Sequence, residues 1–138
     1  MGSSYSWGER SLLRINTCHP LLGTLMKRVI SRTDLPSDIT ILCGYRDKAA
    51  QNLAYYEGAS KLKWPKSKHN KYPSQAIDFA PFPIDWKKVE RWDELSTVIL
   101  DEWDKMVTEN LIPAGVTLSW GGSWTTFVDR PHLELRGL

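Results

Sequence analysis

The chain predicts an α+β domain: helices packed on one small, mainly antiparallel sheet. Three observations carry this. Two segments have apolar residues at helical spacing, Leu22, Leu25, Met26 and Val29 in one and Leu95, Val98, Ile99, Trp103, Met106 and Val107 in the other. Two others alternate with period two, Ile39-Ile41-Cys43 and Val116-Leu118-Trp120. The glycine pair Gly121-Gly122 then offers a tight turn into a final strand that includes His132 to Leu135. At 138 residues the chain is one domain with a real core, 1–138, and residues 1–8 read as a mobile or loosely docked end.

Pro20 suits a first helical position, and the helix it opens runs to about Arg32. Asp34-Leu35-Pro36-Ser37 is a turn, and the strand after it stops at Gly44. Asp47 caps a helix carrying Ala50, Leu53 and Ala54, with Gly58 as its stop. Residues 59–74 are rich in Lys, Ser, Asn and Pro and have no period, so they form a long loop of the kind that often carries function. A strand follows at about 75–80, broken by Pro81-Phe82-Pro83, and Asp85 is the expected cap of the next helix, which runs over about 90–110. Pro113 and Gly115 end that helix.

Composition is that of a globular protein: 41% hydrophobic, 25% charged and 11% aromatic, with seven tryptophans. A formal charge of +2, without basic runs interleaved with aromatics, excludes nucleic acid as the expected partner. No apolar stretch approaches the length of a membrane span, and the first ten residues lack the pattern of a secretory signal. Cys18 and Cys43 are too few for a disulfide framework and read as two reduced thiols.

Three separated fragments carry the chemistry: Ser67-Lys68-His69, Ala76-Ile77-Asp78-Phe79-Ala80-Pro81 and Asp129-Arg130-Pro131-His132-Leu133-Glu134. His69, Asp78 and His132 make a ligand set suited to a catalytic zinc, with a fourth position left for water and Asp129 placed to take its proton. Strand alternation puts Ala76, Asp78 and Ala80 on one face and Ile77 and Phe79 on the core face. The plainer readings are an Asp78 satisfied by a turn and an Asp129–Arg130 surface ion pair of little consequence. Glu134 shares a face with His132 and fits a partner that orients a ligand histidine through its other ring nitrogen. His19 reads as a helix cap. Thiolate ligation by Cys18 or Cys43 is open in principle but lacks the close pairing of such sites. Arg46, at a strand–helix junction, could hold a carboxylate or an oxyanion, although a salt bridge to Asp47 is the plainer local reading. Trp120 and Trp124 flank the glycine turn, where groove wall and core are both open to Trp120.

Taken in order, Gly44-Tyr45-Arg46, Gln51, Ser67-Lys68-His69-Asn70, Ala76 to Pro81, Pro83-Ile84-Asp85-Trp86, Trp120-Gly121-Gly122 and Asp129 to Glu134 resemble the small zinc peptidases of bacterial cell-wall peptides, most closely the phage L-alanyl-D-glutamate endolysins. The resemblance runs from about Arg10 to Leu135. Eight residues separate His69 from Asp78 where many members have six, and Ser123 stands where Asp is frequent. It implies one Zn2+ per chain held by His69, Asp78 and His132, with Asp129 as acid/base, Arg46 on substrate or transition state, and Ser67 near substrate. It also implies a monomer acting on the peptidoglycan stem peptide without membrane insertion, kept in the host cytoplasm until a holin opens the way to the wall. The alternatives are a D-Ala-D-Ala-type carboxypeptidase and a non-catalytic zinc-containing wall-binding module of the same fold.

Overall fold

The computed structural model describes residues 5–138, so the expectation for residues 1–4 lies outside the described residues. The elements in order are α1 (Glu9–Ile15), α2 (Pro20–Ile30), β1 (Asp38–Cys43), α3 (Lys48–Tyr56), β2 (Ala76–Phe82), α4 (Glu90–Thr108), β3 (Thr117–Trp120) and β4 (His132–Arg136). Single 3-10 turns at Lys68–Asn70 and Gly121–Ser123 punctuate the two long loops. The strands form one sheet in the order β1-β2-β4-β3, with every pairing antiparallel. This is the α+β architecture the sequence predicts.

The sheet divides the molecule by chemistry. Leu22, Leu25, Met26 and Val29 of α2 and Leu95, Ile99, Trp103 and Met106 of α4 pack as one core with Ile39, Ile41, Ile77, Phe79, Leu133 and Leu135 of the strands. In the β2–β4 register Ile77 faces Leu133 and Asp78 faces His132, so directly opposed pairs alternate between the core and the other side. α4 begins at Glu90, but Asp85 does not cap it: the N-cap is Val89, without a side-chain bond, and Asp85 accepts the Lys87 amide in the preceding turn. Val107, predicted on the apolar stripe, is 47% exposed near the helix end. Arg28 of α2, and Arg32 just beyond its end, bond Glu102 of α4 through Nε (2.8 Å) and Nη1 (3.2 Å), which ties the two core helices together.

Strand β2 continues to Phe82 and includes Pro81, where the sequence pattern marked a break. β4 pairs only with Ala76 to Asp78, so the missing amide of Pro81 falls where β2 has β1 alone as a neighbour. Helix α1 has no counterpart in the sequence reading. It buries only Ser11 and Ile15 and leaves Leu12 and Leu13 exposed, so it has no apolar stripe to read. Its work is polar: the Ser11 hydroxyl accepts the Ile41 amide at 3.0 Å, and Arg14 Nη1 donates to the Ile41 carbonyl at 2.8 Å, which covers the free edge of β1. Before it, Trp7 donates from Nε1 to the Met26 carbonyl and packs against the core. Both cysteines are free thiols.

Candidate active site

The polar face of the sheet gathers the predicted residues around Asp78. Ser67 opens the short turn that presents His69: its hydroxyl accepts the His69 amide at 3.2 Å, while Asn70 Oδ1 accepts the Ser67 amide at 3.0 Å. The His69 ring then reaches Asp78 Oδ1 with Nε2 at 3.1 Å, and its Nδ1 lies 2.7 Å from the Gly44 carbonyl. His132, opposite Asp78 on β4, reaches the same Oδ1 with Nδ1 at 3.1 Å, and its Nε2 lies 2.8 Å from Glu134 Oε1. Both outer nitrogens face obligate acceptors, so both carry protons. Both inner nitrogens converge on one carboxylate oxygen.

That convergence demands positive charge. A neutral imidazole would present a lone pair to Asp78 Oδ1, so each inner nitrogen needs either a proton or a metal ion beside it. Burial disfavours a charged His69, but the neighbouring Asp78 outweighs it and pushes the group up to about 10. His132 is raised as well: burial opposes the charge, and hydrogen bonds to Asp78 and Glu134 overcome it. Asp78 is lowered despite its burial by the two imidazoles. Glu134 is lowered against burial by its bonds to His132 and to Arg136 Nε at 3.0 Å.

Gly44 explains why its carbonyl can serve His69. A Cβ there would lie 2.4 Å from Thr17 Oγ1 and 2.5 Å from the Arg14 carbonyl, so only glycine lets the end of α1 seat against it. The next residues set the second wall. Asp47 caps α3 by accepting the Ala50 amide at 2.9 Å and takes no part in an Arg46 pair. Arg46 instead places Nη2 3.7 Å from Asp78 Oδ2 and donates from Nη1 to Gln51 Oε1 at 3.0 Å. Gln51 is 0% exposed and also bonds Asn70, Ser60 and the Leu62 carbonyl, which ties Arg46 to the His69 turn and to the loop beyond it.

Asp129 stands apart from these pairs. Arg130 bonds Asp93 of α4 at 2.9 Å, so the surface pair Asp129–Arg130 does not form. Among the described residues no hydrogen bond or ion pair engages the Asp129 carboxylate. Burial first, and the charge of Asp78 second, raise its pKa. Gly121 makes its position attainable, since a Cβ there would come within 2.2 Å of the Asp129 carbonyl. Trp120 packs against the core and donates to the Arg130 carbonyl at 2.7 Å, and of the two tryptophans flanking the glycine turn it is Trp124 that walls the cleft, 5.3 Å from the His132 ring. His19 caps α2 through Nδ1, away from the site.

Cys43 is the residue the sequence reading set aside. A register shift between Ile41 and Cys43 turns Cys43 from the core side to face Asp78. Cys43, His69 and Asp78 bring one possible ligand atom each within 4.8 Å of one another. Alternation alone cannot reveal a bulge, so no signal in the sequence marked this thiol. Around these residues lies a cleft of about 480 Å³, bordered by Arg46, Lys66, Trp86, Phe127 and Asp129.

Buried imidazoles sharing a carboxylate, with a carboxylate and an arginine over an open cleft, are groups whose chemistry suits hydrolysis. The chain belongs to the phage L-alanyl-D-glutamate peptidase family, whose sequence model matches residues 3–136. It is a peptidoglycan endopeptidase, as the ordered motifs implied, and its substrate is the bacterial wall. The crystal structure of the Serratia marcescens L-Ala D-Glu endopeptidase ChiX is similar in fold, with a TM-score of 0.72 and 21% identity over 92% of this chain and 86% of that one. Among the described residues no helix is long and apolar enough to cross a membrane.

Proposed function

We propose that this endopeptidase is zinc-dependent, that His69, Asp78 and His132 hold one zinc ion per chain, and that it cuts the L-alanyl-D-glutamate bond of the wall stem peptide. The observation that carries the ligand set is the pair of inner nitrogens aimed at one Asp78 oxygen, each ring fixed by an acceptor on its far side. Cys43 has no such support for ligation, its thiol lying 3.5 Å from the Gly44 carbonyl. Zinc bound there would supply Lewis acidity and a bound water of pKa about 7.

The chain's own residues supply the proton traffic and the charge. Asp129, unpaired and raised in pKa, accepts the proton of the attacking water and returns it to the leaving nitrogen. Arg46, held by Gln51, stabilises the negative charge that grows on the carbonyl oxygen. Glu134 keeps the His132 ring in the orientation and tautomer that ligation needs. In a phage setting, the enzyme reaches the wall once a holin opens the membrane.

The test is digestion of purified peptidoglycan by zinc-loaded protein, with the released fragments read by mass. New D-glutamate amino termini support the reading, whereas loss of terminal D-alanine alone would mean a carboxypeptidase. Asp129→Ala keeps one zinc per chain and loses roughly 10²- to 10⁴-fold in kcat. His132→Ala loses zinc and activity together, and Cys43→Ser keeps both. Full turnover by metal-loaded Asp129→Ala, or loss of zinc from Cys43→Ser, would overturn these roles.

A further inference from the structure

The cleft continues past the catalytic residues onto an aromatic shelf that the hydrolytic chemistry does not use. Trp86 borders the catalytic cleft and also a smaller cavity of about 190 Å³ lined with Val89, Val128 and Pro131. It is 60% exposed, an unusual position for so large a ring. It is also held firmly. One face stacks on Trp92 with centroids 5.2 Å apart and planes at 25°, and Trp92 is itself 1% exposed and bonded through Nε1 to the Phe79 carbonyl at 2.9 Å. Asp85 fixes the turn beneath it by accepting the Lys87 amide at 3.0 Å. The outward face of Trp86 is therefore a preset flat surface, flanked by the exposed Val89 and Val128.

We infer that this shelf is a subsite for the sugar of the wall's glycan strand, which sits against Trp86 while the stem peptide lies across His69, Asp78 and His132. The inference rests on the proposed function and names a second part of its substrate. The peptide around the scissile bond has nothing to match such a shelf, because alanine offers a methyl group and glutamate a charge. The amino sugar that carries the alanine does. A pyranose ring has a flat C–H face that pairs with an aromatic plane and a rim of hydroxyls that stays in water. Arg130, among the described residues the one charged side chain bordering the smaller cavity, is already bonded to Asp93, so these residues present no unpaired charge to an uncharged ring.

The experiment compares two substrates of zinc-loaded enzyme: a disaccharide-bearing stem peptide and the same peptide with an N-acetyl group in place of the sugar. Wild type favours the sugar-bearing substrate by roughly five- to tenfold in kcat/KM, chiefly through KM. Trp86→Leu, which still covers Trp92, brings that ratio close to one, and Trp86→Tyr restores most of it. In parallel, a peptide-free glycan oligosaccharide shifts the indole N–H resonance of Trp86. A wild-type ratio of one, a ratio that Trp86→Leu leaves intact, or an unmoved Trp86 resonance overturns the inference. Should neither substrate be cut, the proposed function falls, and the oligosaccharide titration still decides the shelf by itself.

Discussion

The proposed role of Asp129 depends on its loop descending over the site, and Gly121 is the residue that permits this. The Asp129 amide donates to the Gly121 carbonyl at 2.9 Å, and the Asp129 carbonyl accepts the His132 amide at 3.1 Å. A methyl group at Gly121 would meet Asp129 Cβ at 3.0 Å and its carbonyl oxygen at 2.2 Å, both within the segment that must stay still. Gly121→Ala is expected to push the carboxylate outward while His69 and Asp78, on other segments, keep their places. Displacement of a catalytic group by about 1 Å can cost on the order of 10²-fold in rate. The expected result is therefore a fall in kcat of roughly that size with zinc content unchanged, measured by metal analysis beside peptidoglycan turnover. Loss of zinc in step with activity would show that Gly121 supports the whole site rather than Asp129.

Helices α2 and α4 were legible because the core reads them: Leu22, Leu25, Met26 and Val29 are all buried. Helices α1 and α3 were harder because polar bonds hold them. The expected apolar face of α3 is wrong at Leu53, which is 58% exposed, while the residue α3 buries is Gln51. The same limit applies in the site. That His69, Asp78, His132 and Asp129 gather around one cleft was legible from motif order, but the bulge that turns Cys43 toward Asp78 depends on pairing with β2. Gln51→Leu fills similar space yet strips partners from Arg46 and Asn70, so it should cost about 2 kcal/mol of stability and raise KM. Denaturant melts and steady-state kinetics test both effects, and unchanged values in both would remove Gln51 from the positioning of Arg46. The α2–α4 contact makes a pH prediction. Hydrogen bonds from Arg32 hold Asp34 down at about 2 and lower Asp101, and those from Arg28 lower Glu109. Depressed carboxylates stabilise the fold above their ordinary pKa near 4, and that contribution is lost as pH falls through the lowered values. The Tm gap between wild type and Arg32→Leu should therefore shrink from pH 6 toward pH 2. A gap that stays constant would mean that Arg32 contributes through packing.

At the scale of the molecule, one sheet keeps an apolar face against α2 and α4 and spends its other face on concentrated charge. Asp78 favours protons on the inner nitrogens of His69 and His132, so with the proposed ligand set protons and zinc would compete for the same nitrogens. The sign follows from the raised values. His69 and His132 sit above the ordinary 6.5, so their attraction to Asp78 supports the metal-free fold fully below that pH. For His69 it is lost as pH rises through about 10. Zinc that replaces these protons would release them on binding. Apparent zinc affinity should therefore climb with pH, and proton release should appear in titration calorimetry as a dependence on buffer ionisation enthalpy. Chelated protein should lose thermal stability relative to zinc-loaded protein as pH rises from 7 toward 10, because only the metal-free form depends on the imidazolium protons. An affinity independent of pH, with no proton release, would mean that the ion is held without His69 and His132.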